Sequence, residues 1–198
     1  MEEISLVGGP NPTFMGFLFL GVAALITGLF FMGRDHGADK KAAMLGVTIV
    51  QKYMGIAMLL VAFFLFLTNP FQSTAATAWV ASLFGALGFV FIIIGKILAD
   101  DAEHLLISTI LGASALLIGA FAGICFAAPD FALRGLHADF LALFFIASTA
   151  CLWGALAIRN VRPFGMKGFG FWFVLVGLDA FYMGVRYLFA VMGTGDIV

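Results

Sequence analysis

The chain reads as an all-α, polytopic membrane protein with six transmembrane helices. Three observations carry that expectation. Of 198 residues, 63% are hydrophobic and 11% charged, where soluble domains carry about 25% charged residues. Mean hydropathy is +1.13. Six apolar stretches fall at about 14–32, 42–67, 78–98, 105–127, 138–158 and 168–192, each long enough for the roughly 20 residues that cross a bilayer as a helix. Backbone groups in hydrocarbon must bond internally, which makes helix the default. A single membrane domain over 1–198 follows, embedded in lipid. The net charge of −1 leaves no nucleic-acid footprint.

The first segment follows Glu2 and Glu3 with no early Lys or Arg. That charge is wrong for a cleaved signal peptide, so the segment is expected to stay. The second opens after Arg34, Lys40 and Lys41, holds Gln51 and Lys52 inside, and stops at Asn69-Pro70. Small residues then recur at helical spacing: Gly21, Ala24 and Gly28 in the first segment, Ala81, Gly85, Gly88 and Gly95 in the third. Ser108, Gly112, Ala115, Gly119 and Ala122 do so in the fourth, and Ala147, Ala150, Gly154 and Ala157 in the fifth. Such stripes let backbones approach within a bundle or against a neighbouring protomer.

Loop charge predicts orientation. Arg34, Lys40, Lys41, Lys96, Arg159, Arg162 and Lys167 share one side, and only Arg134 lies outside the helices on the other. The positive-inside rule makes the first side cytoplasmic, with both termini exterior, in a prokaryotic cytoplasmic membrane. Gly28, Gly95 and Gly154 each precede a charged turn and a returning helix that carries Gly46, Gly112 or Gly170. This spacing predicts three tandem helical hairpins, with coincidence among abundant glycines as the alternative.

The sixth segment is the most informative. Gly170, Gly177 and Gly184 recur every seven residues, and Trp172, Asp179 and Arg186 follow two positions later. On a helix these form a smooth face and a polar face. Tyr182 lies beside the polar one. Lys52 and Asp179 each stand roughly ten residues in from the cytoplasmic side, about 15 Å deep. Charge in hydrocarbon is costly and should face protein or water. Lys52, Asp179 and Arg186, with Gln51 nearby, are therefore candidates to line or gate a polar path, or to form an ion pair that fixes helix register. Trp153, beside Gly154, is the candidate constriction. Trp79 and Trp172 sit near helix ends, where interface anchors belong.

Other chemistry finds no support. His36, His104 and His137 fall at turns, so no mid-membrane pair exists for haem. All three histidines read as solvated loop residues, with a pH sensor at an outer mouth as the alternative for His137, beside Asp139. Cys125 and Cys151 read as packing residues, not metal ligands. Asp100, Asp101 and Glu103 form an acidic turn suited to balancing Lys96 and capping the fourth helix. With no phosphate-binding loop, nucleophile elbow or paired catalytic carboxylates, the chain is expected to be no enzyme and to hold no cofactor or metal.

The layout resembles the urea/amide channel family found beside urease and amidase genes. The resemblance lies in Met15-Gly16-Phe17-Leu18-Phe19-Leu20-Gly21, in Phe84-Gly85 with the apolar run to Asp100, and in the Trp153 helix followed by a basic Pro/Gly turn and a last helix with a mid-membrane acid. Asn11-Pro12-Thr13-Phe14-Met15-Gly16 is also similar to the start of acetate/succinate permeases. The resemblance implies a narrow path through each protomer and a hexameric ring. Tryptophan is scarcer here than in that family, and Lys52 has no counterpart in it. The expected function is a channel or facilitator for urea, a short amide or a short carboxylic acid. The alternative is a non-catalytic integral subunit of a larger membrane complex.

Overall fold

A computed structural model of the chain describes residues 12–33, 39–70, 74–99, 104–127 and 137–191. Six helices carry them: α1 (Thr13–Met32), α2 (Lys40–Thr68), α3 (Thr74–Ala99), α4 (His104–Ala127), α5 (His137–Ile158) and α6 (Met166–Val191). Each expected span is a helix, with ends displaced by at most four residues. All six are long and apolar enough to cross a membrane. Arg34, His36, Arg134 and the Asp100, Asp101 and Glu103 turn lie outside the described residues.

Local chemistry sets the helix ends. Asp39 caps α2, its Oδ1 accepting from the backbone N–H of Lys41 at 2.9 Å and of Ala42 at 3.1 Å, which satisfies donors the first turn leaves free. α1 ends at Gly33, whose φ of 79° is left-handed, so its N–H turns back to Leu29 and Phe30. α2 ends at left-handed Asn69 (φ 41°), and the Asn69 side chain accepts from the Thr77 hydroxyl. That bond ties the start of α3 to the turn before it.

The helices close a ring in chain order, with α1 against both α2 and α6. The most intimate pairs are α1 with α6, α2 with α3, and α4 with α5, while α3 barely touches α4. These pairs join neighbouring hairpins of the expected arrangement, and α1 with α2 and α5 with α6, within a hairpin, pack less closely. Glycine explains two of the closest pairs. A Cβ on Gly28 would lie 2.7 Å from the Gly170 carbonyl oxygen, and one on Gly170 would lie 2.6 Å from that of Gly28. Gly55 and Gly88 meet in the same reciprocal way, at 2.6 and 2.7 Å. Backbone cannot swing aside as a side chain can, so only glycine permits these approaches.

The α4–α5 seam uses hydroxyls. Ser108 Oγ donates to the Ala155 carbonyl and Ser148 Oγ to that of Ala115, both at 2.9 Å. Gly112 and Gly119 face only ordinary contacts there, 4.0 and 3.6 Å from a built Cβ. Arg159 secures the same seam, its Nε donating to Ser108 Oγ at 2.8 Å.

Candidate functional site

The ring encloses a space, called the lumen, that is open toward one end and packed with side chains toward the other. Lys41, Lys96, Arg159 and Lys167 mark one end, called the basic end. Toward it opens a cavity of about 460 Å³ to which every helix contributes, among them Thr27, Gln51, Ile94, Leu111, Ala157 and Phe173. Met44, Leu98, Asn160 and Met166 form its outer part. Deeper in, sharing Phe91 and Phe173 with the cavity, lies a crevice of only about 30 Å³ between Leu20, Leu87, Ile118, Leu143 and Val176.

Beyond the crevice, aromatic rings pack together as the core between the helices. Phe17 stacks on Tyr187 at 5.5 Å and meets Phe84 edge-on at 5.1 Å and Phe140 at 5.8 Å. Trp79 closes the cluster, 5.1 Å from Phe140 and 5.4 Å from Phe144. Phe17, Phe84, Phe140 and Tyr187 are fully buried and come from α1, α3, α5 and α6. Phe84 seats against Gly16, where a Cβ would fall 2.6 Å from the ring. Trp79 is thus part of the buried aromatic cluster, 8% exposed, rather than the interface anchor its place near a helix end suggests.

Among the described residues, no Asp, Glu, Lys, Arg or His lines the cavity or the crevice. Of the six candidate residues only Gln51 does. It is 1% exposed. Its Nε2 donates to Thr27 Oγ1 at 2.5 Å, while its carbonyl Oε1 is buried with no hydrogen-bond donor. In the sequence Gln51 stands out only as the neighbour of Lys52. Which of the two faces inward depends on where α3 and α1 press on α2.

The expected Lys52–Asp179 pair does not form. Lys52 is exposed on the outer surface of α2, and α1 stands between α2 and α6. The depths also differ. Gln51 bonds Thr27, the neighbour of Gly28, and Gly28 abuts Gly170. Asp179 lies nine residues beyond Gly170, about 13 Å further from the basic end. Counting from each segment's start assumed that α2 and α6 begin level, and they do not.

Asp179 and Arg186 occupy the seam between α5 and α6, as does Trp172. The polar face of α6 is real, but it meets α5 and not the lumen. Arg186 pairs with Asp139 of α5, both side chains mostly buried at 23% and 21% exposure. Arg186 also lies 5.6 Å over the ring of exposed Tyr182. Asp139 is within coulombic range of Asp179, whose Oδ2 is buried without a hydrogen-bond partner among the described residues.

Trp153 does not constrict the lumen. Its Nε1 donates to the Gly165 carbonyl at 3.1 Å, and its ring meets Phe164 at 4.8 Å and Trp172 at 6.5 Å. It pins the α5–α6 turn instead. The constriction is built by Leu20, Leu87, Leu143 and Phe144, apolar residues with no distinguishing signal in a chain this hydrophobic. Cys151 is a buried free thiol beside them. No group of three His, Cys, Asp or Glu side chains gathers as metal ligands among the described residues. No protein-family model matches the chain, and no curated protein matches it.

Proposed function

We propose that the chain is a membrane channel or facilitator for a small, uncharged polar solute, such as urea, a short amide or an undissociated short carboxylic acid. The observation that carries this reading is the lumen ringed by all six helices, whose buried polar stop is Gln51. A charged solute would lose its hydration there and find no counter-charge, a cost far above that of a neutral one. A neutral solute with N–H or O–H groups can bond the free Gln51 carbonyl while it sheds water. The aromatic plug is the gate in this reading, since rings at a constriction exclude water until they move. The three-hairpin repeat, the exterior termini, the prokaryotic cytoplasmic membrane and a hexameric ring belong to the same proposal. They rest on loop charge and on the resemblance to urea/amide channels.

Stopped-flow light scattering on proteoliposomes tests it. The expected result is urea or short-amide flux above that of empty liposomes. Absence of flux for every solute of this class overturns the reading. One observation favours the alternative of a subunit in a larger complex. Lys52 is a charge on an outer surface within a membrane-spanning helix, and such a group calls for a neighbouring protein. Native mass spectrometry separates the two, because a homo-oligomer fits the channel and unlike chains fit the subunit.

A further inference from the structure

The cavity at the basic end exceeds what a path for urea requires. Its volume of about 460 Å³ falls within the roughly 300–1,000 Å³ of cavities that hold drug-sized ligands. Phe31, Phe91, Phe169 and Phe173 line it with aromatic surface. Phe169 meets Phe173 at 4.6 Å and Phe31 at 5.0 Å. Into this apolar space faces Gln51, almost wholly buried, its amide N–H₂ committed to Thr27 and its carbonyl lacking a donor. A buried acceptor left unpaired carries a desolvation cost that a guest with one donor relieves.

We propose that this cavity is a binding site for a neutral amphiphile, a mostly apolar ring- or alkyl-bearing molecule whose hydroxyl donates to Gln51 Oε1. The apolar body replaces water against the phenylalanines and against Ile94, and the hydroxyl takes the buried Gln51 acceptor, which has no partner among the described residues. Charge on the guest is disfavoured, because no described side chain of opposite charge lines the space. Binding rests on the cavity alone. Its consequence rests on the channel reading: a guest seated beside Phe91 and Phe173 stands at the mouth of the narrow crevice and closes the path.

The test compares 4-propylphenol with its methyl ether, which has the same body and no donor. Calorimetric titration into protein-loaded nanodiscs, with empty nanodiscs subtracted, removes partition into lipid. The phenol should bind wild-type protein about five-fold more tightly than the ether, the size of one net neutral hydrogen bond. Gln51→Leu should erase that advantage while both probes still bind. Ile158→Trp, placed at a half-exposed part of the lining, should abolish binding of both. The proposal is overturned if neither probe binds, if the advantage survives Gln51→Leu, or if Ile158→Trp changes nothing. Urea flux is measured on the same preparations. Binding without flux overturns the channel reading and leaves the site standing, and flux without binding does the reverse.

Discussion

The lumen and the α5–α6 seam lie side by side in the protein and are built on opposite principles. The lumen is apolar, narrow at its middle, and interrupted by Gln51 and Thr27. The seam carries Asp139, Asp179 and Arg186 within helices that can span a membrane. The polar stripe of α6 thus meets a neighbouring helix, α5, and not the cavity. Charges inside a bilayer need protein around them, and a loosely packed helix pair supplies that as well as a pore does. The Arg186–Asp139 pair joins α6 to α5, which among the described residues meet through glycine-to-ring contacts, Gly154 with Phe169 and Gly168 with Trp153, and not backbone to backbone.

The comparison breaks most severely if the ring opens. Gly28→Val drives a side chain into the Gly170 backbone, and α1 must leave α6. Overpacking costs about 1–3 kcal/mol, with the upper end expected against backbone that cannot yield, read as loss of folded protein on denaturant unfolding in mild detergent. The same change at Gly46, which has nothing within 4 Å of a built Cβ, should leave stability nearly unchanged. Equal damage at both positions would contradict the glycine-seam account.

Next in size is the plug. Phe84→Ala removes a fully buried ring and should cost about 3 kcal/mol. It also opens the lumen beyond the crevice, so solute flux per folded protein should rise. A stable variant with unchanged flux would mean that the path does not pass the aromatic cluster. Smaller again is the seam. Arg186→Met leaves Asp139 mostly buried without its cation and should cost about 2 kcal/mol, between the values for buried and exposed pairs. Adding Asp139→Asn should recover most of the loss in a double-mutant cycle, with flux unaffected throughout.

The six helices were legible because hydrocarbon permits so little else. Twenty apolar residues between breakers leave one solution for the backbone, and the helix ends at Gly33 and Asn69 follow from their turn chemistry. The glycine face of α6 was legible too, since a seven-residue interval keeps one side of a helix, and Gly170 and Gly177 do abut α1. What the polar face meets was not legible. Periodicity gives an angle about the helix axis, and the neighbour at that angle depends on how six helices arrange. Lys52 failed for a second reason. Distance from the start of its own segment is not depth, and tertiary register, visible in the Gln51–Thr27 and Gly28–Gly170 contacts, sets the true level. The cavity lay beyond reach for the same cause, because its lining draws a few residues from each of six helices.

The claim that solute passes through the lumen and not along the seam is tested most directly by urea flux in proteoliposomes for three chains: wild type, Gln51→Leu and Asp179→Asn. Losing one neutral hydrogen bond at the polar stop should slow flux about five-fold in Gln51→Leu. Asp179→Asn should match wild type. Slow flux in Asp179→Asn with normal flux in Gln51→Leu would contradict the account and return the path to the polar face of α6.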